Sequence, residues 1–151
     1  VLDQAYVLSL FLPMVVAAGG NSGGQAATMV IRAMSLGEVN TGTALRIAWK
    51  EMQTGLLLGL SLGLVMGAFI LFLLPLFQVP QAIPYPKLAM AVCSSLLIQV
   101  FSATLMGSML PLLARSIWLD PAVVSAPSLA STVDITGMLI YFSSARLILS
   151  L

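Results

Sequence analysis

The chain has 151 residues, of which 60% are hydrophobic and only 7% are charged, and its net charge is +1. A soluble domain carries about 25% charged residues, so this chain has too few charges to cover a water-facing surface. Its single cysteine, Cys93, permits no internal disulfide, and there is no histidine and no basic excess that would suit nucleic acid. The composition therefore predicts a membrane protein that lies in the lipid bilayer. No nucleic acid is predicted as a partner.

Four segments are long enough to cross a bilayer, which requires about 20 mostly apolar residues. Each is predicted to be a helix, because lipid offers the backbone no other hydrogen-bond partner. The predicted fold class is therefore an all-α membrane protein, a bundle of four transmembrane helices that form a single domain over residues 1–151. The predicted spans are residues 5–34, 52–77, 88–113 and 121–149.

The basic residues at the helix ends predict the orientation. The loops 35–51 and 114–120 share one side of the membrane and, with the adjoining helix end, hold four basic residues against two on the other side. Since basic residues concentrate in cytoplasmic loops, these loops are predicted to be cytoplasmic in a multi-pass protein of the cell (inner or plasma) membrane. The four basic residues on the predicted cytoplasmic side are Arg32, Arg46, Lys50 and Arg115. The two on the other side are Lys87, in the proline-rich loop 78–87, and Arg146.

The first span contains a polar, glycine-rich segment, Gly19-Gly20-Asn21-Ser22-Gly23-Gly24-Gln25. Asn21 and Gln25 are four residues apart and therefore share a helix face. Such a segment is tolerated at membrane depth where protein buries it or where it borders a water-filled cavity. Two interpretations stay open, a packing seam with cross-bonded amides and the lining of a pore, and the second is favoured.

The second span carries glycines at a spacing of four, which form a smooth groove along one helix face. This pattern predicts close packing against another helix rather than a direct functional role. The glycines are Gly55, Gly59, Gly63 and Gly67, and Ala103 and Gly107 offer a lesser version of the same face in the third span.

Asp134 lies near the expected middle of the fourth span, where an ionisable residue costs about 2.5–3.5 kcal/mol on insertion scales. Arg146 is too distant to neutralise it, since 12 residues of helix extend about 18 Å. One interpretation is a protonated or helix-paired carboxyl group. The favoured one is a carboxylate that faces water and a cation.

Other oxygen donors surround Asp134 in the sequence. Pro127 lacks an N–H group, so the carbonyl of Val123 loses its helical donor. Asp120 precedes Pro121 as an N-cap, on the same helix face as Asp134 and about 21 Å from it. Oxygen ligands without a Cys/His cluster favour a hard cation such as magnesium, but they do not separate it from manganese, calcium, sodium or a proton pathway. Hydroxyl groups in this stretch come from Ser128, Ser131, Thr132 and Thr136.

Two motifs resemble the MgtE family of magnesium channels. The first extends from Pro13 through Gly20-Asn21-Ser22-Gly23-Gly24-Gln25. The second is Asp120-Pro121-Ala122-Val123-Val124-Ser125 with Pro127 through Asp134-Ile135-Thr136-Gly137. The resemblance covers essentially the whole chain, including Lys50-Glu51-Met52. It implies a homodimeric pore with five helices per protomer, of which the first would precede Val1, and cytosolic regulatory domains that lie outside this chain.

The resemblance also implies roles for individual residues. Asp134 from both protomers would bind a hydrated magnesium ion near the pore centre, aided by the backbone carbonyl of Ala130. Asp120 would be a second acid nearer the cytoplasmic mouth. Position 126 is alanine, where some relatives have a polar residue. The residues expected to line the pore are Asn21, Gln25, Ser131 and Pro127.

Three other functions compete with a channel. The chain could be half of a divalent cation carrier or exchanger, or a membrane subunit that transports nothing. An intramembrane protease is disfavoured because histidine is absent and Asp120 and Asp134 are far apart on one helix. The protein is therefore not expected to be an enzyme.

Overall fold

The computed structural model describes residues 2–39, 41–77 and 83–149. Within these ranges the chain forms four long helices, each long and apolar enough to cross a membrane, which confirms the predicted all-α class. The helices are α1 (Leu2–Ser35), α2 (Ala44–Ala68), α3 (Tyr85–Ser116) and α4 (Pro121–Leu149). A short 3-10 turn, Thr41–Thr43, precedes α2, and a π-helical turn, Phe69–Leu73, and a 3-10 turn, Leu74–Phe77, extend it.

The helix boundaries differ in places from the sequence prediction. Helix α2 begins at Ala44, inside the predicted loop 35–51, because residues 44–51 are mostly good helix formers with no glycine or proline among them. The polar segment 19–25 does not interrupt α1, which is continuous through it. Of the predicted loop 78–87, residues 78–82 lie outside the described residues.

Helix α3 is the centre of the bundle. The other three helices all pack against it, and α1 and α4 also pack against each other. A large apolar cluster that includes Phe11, Val92 and Tyr141 joins α1, α3 and α4 near the start of α1. The buried Tyr141 hydroxyl donates a 2.7 Å hydrogen bond to the Leu8 carbonyl there, which ties α4 directly to α1.

Glycines bring the backbones of α1 and α2 into contact with α3. The four glycines of α2 are all buried, and a Cβ atom on Gly59 would lie only 3.0 Å from backbone atoms of Leu97. A Cβ atom on Gly107 would overlap the Gly23 carbonyl group. The Gly107 face, a lesser feature in the sequence, therefore forms one of the tightest contacts of the bundle.

Helices α1 and α3 end in the same type of turn. The Glu38 N–H donates to the Ala33 carbonyl and the Leu119 N–H to the Ala114 carbonyl, as in a Schellman motif. The left-handed residue of this motif is Gly37 (φ 75°) in α1 but Trp118 (φ 63°) in α3. The second turn reverses the chain within a few residues and places Asp120 directly before α4.

The contact between α1 and α3 can be tested with Gly107→Ala. The added methyl group has to displace backbone, and such overpacking is expected to lower the free energy of unfolding by about 1–3 kcal/mol. Gly63→Ala is the matched control, since its Cβ atom would lie 3.4 Å from the nearest atom, the Cys93 carbonyl oxygen. Thermal unfolding in detergent measures both variants. Equal stability of the two would contradict the close approach at Gly107.

Candidate cation site

Asp134 lies on a face of α4 that the other described residues leave open. Its side chain is exposed, as are those of Pro127, Ala130 and Ser131, whereas the preceding residue, Val133, about 100° around the helix, is buried. Within the described residues the Asp134 carboxyl group forms no hydrogen bond and no ion pair. A single chain therefore provides no partner in its described part that would neutralise this acid.

The open face of α4 has a definite end. The buried residues of α4 recur every four residues, which is longer than the 3.6-residue helical turn, so the buried stripe winds around the helix. Asp134 is exposed, but Tyr141, two turns later on nearly the same face, is fully buried. The open face thus extends from Asp120 to Asp134 and closes at the Tyr141–Leu8 hydrogen bond.

Two hydroxyl groups near Asp134 donate hydrogen bonds to backbone carbonyls of their own helix. Thr132 Oγ1 donates to the Ser128 carbonyl over 2.7 Å, and Thr136 Oγ1 donates to the Thr132 carbonyl over 2.8 Å. Each hydroxyl oxygen can still accept a hydrogen bond. Pro127 lies inside the continuous α4, where its missing N–H group leaves the Val123 carbonyl without a helical donor.

The amides of α1 also lie on an open face. Asn21 and Gln25 are exposed and form no side-chain hydrogen bond within the described residues. They border an open cavity of about 670 Å³. Gly19 and Gly23, on the opposite side of the helix, are buried against α3. The packing seam of this segment is therefore made by its glycines, and its amides point away from the other described helices.

The two open faces belong to helices that touch at the same level. A Cβ atom on Gly137 of α4 would lie 3.2 Å from the Val16 side chain of α1. Further along the same two helices, Ala27 of α1 packs in one cluster with Leu129 and Val133 of α4. The polar segment of α1 and the Asp134 segment of α4 are thus carried side by side.

Asp120 lies apart from Asp134, at the first turn of α4. It is exposed, and its Oδ1 atom accepts a 2.9 Å hydrogen bond from the Ala122 N–H group, so it caps the helix. The 14 residues between the two acids correspond to about 21 Å of helix. The described residues contain no group of three Asp, Glu, His or Cys side chains that could hold a metal ion.

Gln99 is a polar residue that the sequence reasoning missed. It lies in the middle of α3, is fully buried, and donates a 3.0 Å hydrogen bond from Nε2 to the Val133 carbonyl. A glutamine inside the apolar run Leu96-Leu97-Ile98-Gln99-Val100 is the signal that would have found it. The criterion applied to Asp134, a polar group at membrane depth, applies here as well.

Known proteins match this chain over nearly its whole length. Residues 12–144 match the MgtE family, described as a divalent cation transporter. The "Magnesium transporter MgtE" of Thermus thermophilus is 39% identical over 149 residues, which are 99% of this chain and 31% of that protein. The protein of the same name from Bacillus subtilis is 30% identical, over 95% of this chain and 30% of its own length. The chain thus spans about a third of the length of these relatives.

The open face of α4 can be tested by chemical labelling. In a Cys93→Ala background, Ser131→Cys is expected to react with a water-soluble thiol reagent, because a face that carries an unpaired carboxylate has to be hydrated. Leu139→Cys is the control, since Leu139 is exposed on α4 about 140° away from Asp134. Mass spectrometry of the labelled protein in membranes gives the extent of reaction. Equal labelling of the two cysteines would contradict a hydrated face.

Proposed function

Because this chain belongs to the MgtE family of magnesium transporters, we propose that it forms the ion pathway of a magnesium channel. In this proposal two copies of the chain meet along the open faces of α1 and α4, and Asp134 of each copy borders the central cation site. The observation that carries the proposal is an exposed Asp134 on a helix that can span a membrane, with no partner among the described residues.

The cost of charge in lipid supports an assembly of two chains. An ionised carboxylate that faced hydrocarbon would cost about 2.5–3.5 kcal/mol, and Asn21 and Gln25 would add unpaired amides on the neighbouring helix. Covering these faces with a second copy removes that cost if water remains between them. Homodimers are most often two-fold symmetric, and such an axis along these faces places the two Asp134 side chains opposite each other.

Two opposed carboxylates suit a hydrated divalent cation. The two carboxylates repel each other when no cation lies between them, and a divalent ion between them neutralises both charges. Magnesium dehydrates reluctantly and usually keeps several waters, so the pathway has to accept water molecules and not only the bare ion. Amides and backbone carbonyls are suitable partners for such waters, since they offer donors and acceptors without further charge.

The polar groups of the open faces provide these partners. The Ala130 carbonyl lies one turn before Asp134 and has a second lone pair beyond its helical hydrogen bond. The Val123 carbonyl, freed by Pro127, lies further along the same helix. Asn21 and Gln25 contribute amides from α1. In this proposal Asp134 supplies the negative charge of the central site. The other groups form hydrogen bonds with the water molecules that surround the cation.

Asp120 extends the proposed pathway to one end of the bundle. This end also carries Arg32, Arg46, Lys50 and Arg115, which favours a cytoplasmic location in the cell membrane. An acid at the mouth raises the local cation concentration. The names of the relatives favour magnesium over manganese or calcium as the transported ion.

The function is tested by Asp134→Asn in the full-length protein reconstituted in liposomes. Asparagine preserves the volume and removes the charge, so magnesium uptake is expected to fall by at least tenfold, the equivalent of about 1.4 kcal/mol. Asp120→Asn is the matched control, and we expect it to retain part of the activity because it acts only at the mouth. Gel filtration verifies that both variants insert and assemble. Wild-type uptake by Asp134→Asn would rule out the central site.

A further inference from the structure

One buried side chain connects the two helices that carry the open faces. Gln99 lies in α3 at the level where α1 and α4 meet, and it is fully buried. A Cβ atom on Gly19 of α1 would lie 2.7 Å from Gln99 Cγ, and one on Gly137 of α4 would lie 2.9 Å from Gln99 Nε2. Both neighbouring helices thus present a glycine to the same amide, so the volume of this side chain sets their spacing.

The hydrogen bond of Gln99 acts on the peptide group that carries Asp134. Nε2 donates to the Val133 carbonyl over 3.0 Å, and Thr136 Oγ1 approaches the same oxygen at 3.2 Å. The carbonyl carbon of Val133 is bonded to the nitrogen of Asp134, and the two belong to one rigid peptide plane. A donor fixed in α3 therefore restrains the depth and rotation of the backbone from which the Asp134 side chain projects.

Packing alone does not explain an amide at this position. Within the described residues the Oε1 atom of Gln99 is buried and has no hydrogen-bond partner. A buried acceptor without a partner is unfavourable, and methionine would fill a similar volume without that penalty. The donor Nε2 is the part of the side chain that accounts for the amide.

We propose that Gln99 is a positioning residue that holds the Val133–Asp134 peptide in register with the cation pathway. This inference rests on the proposed function, because it assigns Gln99 to the same site. Gln99 does not itself touch the ion. Its removal changes how well the site binds magnesium and leaves the pathway in place.

The test compares three variants of the full-length protein in liposomes. Gln99→Met removes the donor, and the half-saturating magnesium concentration is expected to rise about three- to tenfold, the value of one hydrogen bond, while the maximal rate stays within about twofold. Gly137→Ala leaves Gln99 in place but pushes against its amide, and it is expected to shift half-saturation in the same direction. Ser95→Ala is the control, because Ser95 is equally buried in α3 but bonds only to Ala91 of its own helix.

The outcomes separate a positioning role from a structural one. A raised half-saturation in Gln99→Met and Gly137→Ala, with Ser95→Ala unchanged, supports the inference. Lower yields of folded protein with wild-type half-saturation overturn it. If Gln99→Met does not fold, the half-saturation of Gly137→Ala decides. The companion variant Asp134→Asn separates the two proposals. If Asp134→Asn transports magnesium like the wild type, the proposed cation site itself is wrong. If it is inactive while Gln99→Met has the wild-type half-saturating magnesium concentration, only the proposed role of Gln99 is wrong.

Discussion

The contact of glycine backbone with α3 determines which sides of the other helices remain open. In α1, Gly23 lies directly against Gly107, and no side chain separates the two backbones. Burial of this side turns Asn21 and Gln25, which lie on the opposite side, away from the bundle. In the same way the glycines of α2 occupy another face of α3 and keep α2 at a distance from the polar segment of α1. The position of the proposed pathway follows from these contacts, since they leave its amides free.

Polar groups at membrane depth divide into two kinds in this bundle. Gln99 and Ser95 are buried and bond to backbone carbonyls, Gln99 to Val133 of α4 and Ser95 to Ala91 of its own helix, so Gln99 alone of the two joins neighbouring helices. Asp134 and the amides of α1 are exposed and unpaired within the described residues. Only the second kind requires water or another chain. The same chemical rule, that polar groups in lipid need partners, therefore accounts for both the packing of the bundle and its open faces.

Hydropathy alone predicted the class and number of the helices, because a bilayer imposes a length and an apolar composition on each span. It did not predict that α2 begins at Ala44, since the amphipathic first turns of that helix resemble a charged loop. It also did not reveal Gln99. Whether a lone glutamine in an apolar run faces lipid, a neighbouring helix or water depends on packing that sequence periodicity does not describe.

The candidate site was predictable in part for the same reason. Asp134 was found from its charge at depth, and the cap formed by Asp120 was evident from the proline that follows it. The end of the open face at Tyr141 was not predictable, because it depends on the winding of the buried stripe around α4. The roles of all these residues in a pathway stay predictions, since their exposure shows a free face and not its occupant. This applies to Asp134, Asp120, Ala130, Ser131, Pro127, Asn21 and Gln25.

Cross-linking between two chains tests the central claim most directly. In the full-length protein without Cys93, Ala130→Cys places a thiol one turn from Asp134 on the open face of α4. If the open faces of two copies enclose the pathway, a short bifunctional thiol reagent is expected to convert this variant to a covalent dimer in membranes, and magnesium is expected to slow the reaction. The same thiol at Leu64, which is exposed on α2, is expected to leave the protein monomeric on denaturing gels. Efficient cross-linking at Leu64 and none at Ala130 would place the partner on the other side of the bundle and contradict the account.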